Sequence, residues 1–362
     1  MQGLRVALVH EWLISWGGSE SVLLSLARLF PDAPIFTSVY SPDARVRETF
    51  DGRDIRASAL QRIPGIKSLY RATLPLMPWA FGRMDLSGFD LVISSSHAFA
   101  KSVRVSPGAI HLCYCHTPPR YLWDLYETYN PGLLRVLRGP IISRLRLKDA
   151  ESARNVHTFM ANSSYVSDRI SRSYGRKSTV IYPPVDVDQF SLAEVPKTHY
   201  LAGGRMVPYK HFDRAIQAAN RAELPLVVFG NGPDIGRLMR LGGPTVDFVG
   251  LVSSTRLVDL IRQSHAFLFP GVEDFGILPV EAQSGGCPVI ALAKGGAVET
   301  VLHGETGLLY EDDSVEGLLD AVRRFEMETF EPEACRKNAL RFSRDRFEKE
   351  LAAIIHGVSP SE

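Results

Sequence analysis

Glu273 and Glu281 stand eight residues apart in EDFGILPVE, at the two ends of a glycine-containing turn that leads into a helix. Phe269 and Pro270 close the apolar run HAFLFP before it, Gly276 permits a tight turn, and Pro279 suits the first position of a helix continuing through VEAQSGG. The N-terminus of such a helix offers unpaired backbone N–H groups and a positive dipole end, which suit a phosphate. Carboxylates repel phosphate, so the two acids serve better as acceptors for hydroxyls, one before the turn and one inside the helix. A phosphate between two hydroxyl acceptors fits a nucleotide sugar. A plain strand-to-helix turn with two solvated acids fits the same spacing.

Three other groups could share that chemistry. In GGRMVPYKHFDRA, Arg205 lies in the loop after a strand and Lys210 opens the next helix. Two cations so placed can neutralise a pyrophosphate leaving group, or they are a loop with two surface charges. Gly17 and Gly18, in HEWLISWGGSESVLL, precede a helix and let backbone approach a diphosphate, although paired glycines often mark only a turn. His116 follows the strand AIHLCYC, at whose carboxyl end it could hydrogen-bond a sugar hydroxyl or assist proton movement.

Several patterns point elsewhere. Cys113, Cys115 and His116 have metal-ligand types, but on an alternating strand the cysteines share one face and His116 takes the other, which argues against zinc. Asp186 and Asp188 have the DxD spacing of some metal sites, yet follow a double proline where a turn is expected. Asn162 begins an Asn-Ser-Ser sequon, without meaning for a cytoplasmic chain. Gly230, Gly232 and Gly236, with Asp247 beyond, imitate a dinucleotide fingerprint that would mark an NAD-dependent enzyme. That GxGxxxG is one residue too long and sits on a later strand of its series.

The elements that must carry these residues alternate between short apolar runs and helical periodicity, the pattern of parallel α/β sheets. LRVALVH, APIFTSVY, DLVISSS, AIHLCYCH and VHTFMANSS read as strands of a first series, with helices at SESVLLSLARLF and from Leu133 to Arg154. STVIYPPVDVDQF ends a strand in a double proline, a plausible hinge. HYLAGGR, PLVVFGNG, TVDFVG, HAFLFP and CPVIAL form a second strand series, and helices follow from about Ser314. The expected architecture is α/β: two Rossmann-like, doubly wound domains facing across a cleft, residues 1–182 and 183–342, with the final helix at 343–362 crossing back to the first. Ligands of such sheets bind outside the carboxyl ends of the strands, where the motifs fall.

With 362 residues the chain suits two domains, each with its own core, and its 45% hydrophobic and 22% charged residues suit a soluble globular protein. No apolar run reaches the roughly 20 residues of a membrane span. The N-terminus reads as a buried strand, and four scattered cysteines suggest the cytoplasm. The net charge of +1 hides an asymmetry: residues 1–180 hold 23 Lys and Arg against 14 Asp and Glu, residues 181–362 hold 18 against 26. Basic and large apolar residues interleave in QRIPGIKSLYRATLPLMPWAFGR, with Arg62, Lys67, Arg71 and Arg83, and in LLRVLRGPIISRLRLK. That mixture suits a peripheral site on an anionic membrane, or a solvated helix face whose aromatics turn into the core. A pI of 7.8 without a recognition motif argues against nucleic acid.

The chain resembles glycosyltransferase family 4, the group 1 retaining transferases of GT-B fold. The resemblance rests on WGGSE, VIYPPVDVDQF, GRMVPYK, VVFGNGP, FVGLVSS, EDFGILPVEAQSGGCPVIAL, GGAVETV and GETGLLY, in that order. DLVISSSHAFAKSV and LCYCHTPPRYLWDLY are similar to a bacterial subgroup that acts on surface polysaccharides and often uses GDP-mannose. The resemblance implies a nucleotide diphosphate sugar as donor. Glu273 would contact the donor sugar beside the backbone of Phe275, Gly276, Ile277 and Leu278, and Glu281 would bind the ribose. Arg205 and Lys210 would hold the diphosphate with help from Gly17 and Gly18, residues Gly250, Leu251 and Val252 would line the base, and His116 would lie near sugar and acceptor. The chain departs from the family at position 11, which is Glu where Asp is expected after His10.

The implied reaction moves a hexose to an acceptor hydroxyl with retention, by front-face attack through an oxocarbenium-like state rather than a covalent intermediate. Arg205 and Lys210 would replace a divalent metal, so no metal or other cofactor is expected. A lipid-linked saccharide is the expected acceptor, and the inner face of the cell membrane the expected place. A nucleotide-sugar epimerase, or a non-catalytic nucleotide-sugar binder of the same fold, is the alternative.

Overall fold

The apolar runs of the first half form β1 (Val6–His10), β2 (Ile35–Thr37), β3 (Ile55–Ala57), β4 (Leu91–Ser96), β5 (Ile110–Cys115), β6 (Thr158–Ala161) and β7 (Ser178–Val180). They make one parallel sheet in the order β3-β2-β1-β4-β5-β6-β7. Central strands of such a sheet are covered on both faces, which is why VALVH is buried throughout and reads as a continuous apolar run. Alternation then assigns the faces: Val6 and Leu8 join the cluster of Val22, Leu23 and Leu26 from the Gly18–Leu29 helix, while Ala7 and Val9 join that of Phe81 and Phe99. Phe347, Leu351 and Ile355 of the last helix, Arg344–Val358, pack into the former cluster.

The second half forms β8 (His199–Arg205), β9 (Leu226–Asn231), β10 (Val246–Gly250), β11 (Ser264–Phe269), β12 (Val289–Leu292) and β13 (Gly307–Tyr310). These are parallel in the order β10-β9-β8-β11-β12-β13. This computed structural model describes residues 4–124 and 133–358, the side chains of 133–138 excepted. The chain divides into two units, Met1–Pro184 with Phe347–Glu362, and Val185–Arg346. In each sheet the strand order reverses once, between β1 and β4 and between β8 and β11. Those switch points are where an open parallel sheet leaves a crevice at its carboxyl edge.

Two strands escape the sequence reading. β3 is a three-residue edge strand with two exposed residues, and β13 is a four-residue edge strand opening on Gly307. Neither has the length or apolar run that announces a central strand. The helix at Glu281 also begins earlier than expected, at Ile277, with Gly276 as N-cap and Pro279 third in the helix. Proline is tolerated there because the first four N–H groups of a helix lack intrahelical partners anyway.

Candidate functional site

In the second unit the strands at the switch point deliver opposite charges to one place. β8 runs through Arg205, which pairs in register with Asn231, so Arg205 is the last residue of a strand rather than a loop residue. Lys210 does not open a helix either. It ends the short 3-10 turn Pro208–Lys210, and His211, with a left-handed φ of 52°, turns the chain into the Phe212–Ala222 helix. That turn lays the Lys210 ammonium near Gly204, at the end of β8. It is 2.8 Å from Glu273 Oε1 in the loop after β11.

The close approach of the two loops has a specific cause. A Cβ at Gly271 would lie 2.6 Å from the Lys210 Cα, so only glycine lets the loops after β8 and β11 touch. From the other side, Gly296 N–H donates to the Glu273 carbonyl at 2.9 Å, and a Cβ on Gly296 would lie 2.3 Å from the Phe275 Cα. Gly271 and Gly296 therefore seat the EDFG loop, and the sequence reading assigned neither a role. Their signal was only a glycine just beyond a strand. The Lys210 and Glu273 side chains are 13% and 22% exposed, sheltered but reachable from solvent. Arg205 is exposed and makes no ion pair among the described residues.

The other donor candidates of the second unit follow the same sheet and its neighbouring helix. The Ile277–Ser284 helix starts directly after Phe275 and Gly276, placing Leu278 beside Gly204 and the partly buried Glu281 one turn further on. At the outer edge, β10 ends at Gly250 in a left-handed conformation. Leu251 beyond it is 77% exposed, and Val252 packs partly into the core. An exposed apolar residue at a strand's carboxyl end is available to a flat aromatic ligand.

The rival motifs have structural explanations. Cβ atoms at Gly230 and Gly232 would lie 1.9 Å from the Gly204 carbonyl oxygen and 2.2 Å from that of Met206. These glycines admit the neighbouring chain at the end of β8. Asp247 lies within β10, opposite Val227. Asp186 accepts from the Arg344 guanidinium at 2.5 Å and precedes a 3-10 turn. Cys113 and Cys115 are free and buried in one apolar cluster, and burial pushes the Cys113 thiol up to about 12.

In the first unit Gly17, in extended conformation, is the N-cap of the Gly18–Leu29 helix, without a side-chain cap. His116 follows β5 directly and is half-buried. Its Nε2 lies 2.8 Å from Ser95 Oγ, and the same hydroxyl is 3.1 Å from His10 Nδ1. His10 Nε2 in turn lies 3.3 Å from Glu20 Oε1, whose other oxygen accepts from Ser19 Oγ at 2.9 Å. Burial, with His97 and His10 nearby, pushes His116 well below the ordinary imidazole value. Burial pulls the Glu20 carboxyl up, but its hydrogen bond to His10 and the His10 charge, with smaller help from Ser19, hold it below the ordinary glutamate value.

Glu11 has a different occupation. It is fully buried, and its Oε1 accepts from Ser96 Oγ at 2.9 Å and from the N–H groups of His97, Ala98 and Ala100 at 3.2, 2.7 and 2.8 Å. The glutamate at this departure from the family pattern thus pins the loop after β4.

On the surface of the same unit, Leu69, Leu76 and Trp79 are about half exposed among the exposed Arg62, Lys67, Arg71 and Arg83. Arg83 stacks over Trp79 at 4.9 Å. The side chains of LLRVLR, opening the second basic stretch, lie outside the described residues. Beyond them Ile141 and Leu147 are exposed. Among the described residues no helix is long and apolar enough to cross a membrane.

Comparison with known proteins identifies the family. The family described as Glycosyltransferase Family 4 matches residues 16–189, and Glycosyl transferases group 1 matches residues 187–342. The chain belongs to the group 1 glycosyltransferases of family 4. It is 32% identical over 213 residues to the GDP-mannose-dependent alpha-(1-6)-phosphatidylinositol monomannoside mannosyltransferase of Mycobacterium tuberculosis, covering 50% of this chain and 55% of that protein. It is 36% identical over 119 residues to the GDP-mannose-dependent alpha-mannosyltransferase of Mycolicibacterium smegmatis, covering 33% and 32%. The chain spans about half the length, or less, of these curated relatives. Among solved structures, Anabaena Alr3699/HepE in complex with UDP and glucose superposes with a TM-score of 0.73 at 17% identity, covering 98% of this chain and all of that one. That likeness establishes the fold, GT-B.

Proposed function

We propose that the chain is a retaining hexosyltransferase that moves mannose from GDP-mannose to a lipid-linked oligosaccharide in bacterial surface polysaccharide synthesis. The observation that carries this reading is the Lys210–Glu273 pair, 2.8 Å apart at the β8/β11 switch point beside a helix N-terminus. It offers a cation for a diphosphate and an acceptor for sugar hydroxyls within one side chain's reach of each other. GDP-mannose is favoured because both mycobacterial relatives are named for it.

In the proposed step the bond from the anomeric carbon to the diphosphate breaks as the acceptor oxygen bonds to the same face. The acceptor's proton passes to the departing diphosphate. Negative charge grows on that leaving group, so Arg205 and Lys210 act where stabilisation is worth most. Glu273 orients the sugar, Glu281 takes the ribose hydroxyls, and Gly250, Leu251 and Val252 meet the base. Gly17, Gly18 and His116 keep the diphosphate, sugar and acceptor roles that the family resemblance implies for them. The two cations supply the charge that a metal supplies elsewhere, so turnover should survive EDTA. A strict Mg²⁺ or Mn²⁺ requirement would return attention to Asp186 and Asp188.

Purified protein should be stabilised by GDP-mannose in a thermal-shift series of GDP-, UDP- and ADP-sugars, and should release GDP from it. Stabilisation by a UDP- or ADP-sugar instead would reassign the donor. A protein that neither binds nor consumes any of them is not this enzyme. Conversion of UDP-N-acetylglucosamine to its epimer without an acceptor would make it an epimerase.

A further inference from the structure

We infer that Glu20, His10 and Ser95 are positioning residues for His116, a hydrogen-bonded chain that commits one nitrogen of the His116 ring and leaves Nδ1 as its working atom. The inference rests on the reading of His116 as the group that meets sugar or acceptor. His10, Ser95 and His116 stand at the carboxyl ends of β1, β4 and β5, which are neighbours in the sheet. Glu20 closes the chain from the first turn of the Gly18–Leu29 helix. The links measure 3.3, 3.1 and 2.8 Å, and His10, Ser95 and Glu20 are all buried. A core gains nothing from four polar groups that apolar residues could replace, because a buried polar network offsets its desolvation only while every member is bonded.

The direction of each bond fixes the next. Ionised Glu20 is acceptor-only, so His10 Nε2–H donates to it. If His10 holds no second proton, its Nδ1 accepts from Ser95 O–H, the Ser95 oxygen accepts from His116 Nε2–H, and His116 Nδ1 is a bare acceptor. If His10 holds two protons, every later bond reverses, and His116 Nδ1 carries a hydrogen to donate. Either way His116 has one tautomer, dictated from Glu20. The chain also begins beneath the glycine turn, since a Cβ on Gly17 would lie 3.1 Å from Glu20 Oε2. The proposed diphosphate and sugar contacts of this unit therefore share one carboxylate.

Two-bond ¹H–¹⁵N spectra of full-length protein labelled with [¹⁵N]histidine, with His116→Gln to assign the signal, test this directly. Native His116 should show one tautomer. Ser95→Ala and Glu20→Gln should each shift it to the mixture of a free imidazole, and Ser95→Thr, which keeps the hydroxyl, should restore the native pattern. Turnover should fall on the order of 10-fold in Ser95→Ala with donor KM nearly unchanged, less than loss of a catalytic histidine itself would cost. If Glu20→Gln does not fold, the Ser95 pair decides. Unchanged His116 nitrogen shifts in Ser95→Ala would overturn the chain, whatever the activity. A protein that transfers no sugar but keeps a Ser95-dependent tautomer would retain the chain and lose the transferase reading.

Discussion

At the β8/β11 switch point Arg205, Lys210 and Glu273 are reachable from solvent and share a single ion pair among the described residues, whereas at the β1/β4 switch point the polar groups are mostly buried and bound to several partners. Lys210 has Glu273, and Arg205 has no ion pair among the described residues. Glu11 by contrast accepts four hydrogen bonds at one oxygen, and the buried Glu20, His10 and Ser95 form a series that ends at the half-buried His116. The same topology thus yields two kinds of site. A partly exposed ion pair can exchange its partner for a phosphate at modest cost, while removing one member of a buried hydrogen-bonded network strands its partner at a cost of about 1–3 kcal/mol. The second unit is built to trade charges and the first to hold polar groups still.

The largest effect should come from removing the tradeable cations. Arg205→Ala or Lys210→Ala should lower turnover about 100-fold or more, as loss of a charge stabiliser at a leaving group does. Folding should change little, because Arg205 is exposed and Lys210 has one partly exposed partner. Near-normal turnover in both variants would end the contrast. The two acids should then separate: Glu273→Gln should affect chiefly kcat and the choice among sugars, and Glu281→Gln chiefly nucleotide affinity. Steady-state kinetics with GDP-mannose and titration with GDP distinguish them, and identical defects would merge their roles.

How much of this could be read in advance follows the same division. The EDFG turn and the cations near it were visible in the sequence because each lies a few residues beyond an apolar run, where a parallel strand must end. The errors there were of local register: β8 extends to Arg205 because it pairs with Asn231, and the helix starts at Ile277 because Gly276 caps it. The hydrogen-bonded chain from Glu20 to His116 was not legible. Ser95 and His10 are ordinary polar residues in buried runs, and only the order β1-β4-β5 brings positions 10, 95 and 116 together. Spacing along the chain carries no trace of that adjacency. Edge strands β3 and β13 escaped because short, partly exposed segments have no pattern to show.

Acid should sharpen the contrast between the units. Burial, with His157 adding, pushes His111 down to about 3, and His116 is lowered in the same direction. A depressed folded value means that the unfolded chain takes up a proton near pH 6.5 which the native protein refuses. The first unit should therefore hold its full stability above about pH 6.5. For His111 the loss is about 1.4 kcal/mol per pH unit as pH falls from about 6.5 toward about 3, and His116 adds a loss in the same direction. Glu20, held below its ordinary value, adds a loss that begins as pH falls through the ordinary glutamate value and is complete below the lowered one. In the second unit burial also lowers His199, His211 and His265, but none of the three as far as His111. Hydrogen exchange between pH 7.5 and 4 should show the first unit opening first, and His111→Gln should flatten its slope. Equal loss in both units would break the comparison.

The smallest effect concerns a surface rather than a switch point. Trp79, Leu69 and Leu76 are about half exposed in a stretch whose Arg62, Lys67, Arg71 and Arg83 are exposed, while Phe81 and, in part, Tyr70 turn into the core as the plain reading expects. If this face meets an anionic bilayer, each basic residue contributes about 1 kcal/mol near the surface, and that contribution is screened within a Debye length. Replacing Arg62, Lys67 and Arg71 by Gln should weaken binding to vesicles rich in phosphatidylglycerol. The defect should shrink as salt rises, because salt removes the native protein's advantage as well. Trp79→Ala should weaken binding at all salt concentrations, since burial of an aromatic ring in the interface is not screened. Turnover on a water-soluble acceptor should be untouched in both. Unchanged vesicle binding in the triple variant would leave these charges as a solvated face, and the excess of basic residues in the first unit without a membrane to explain it.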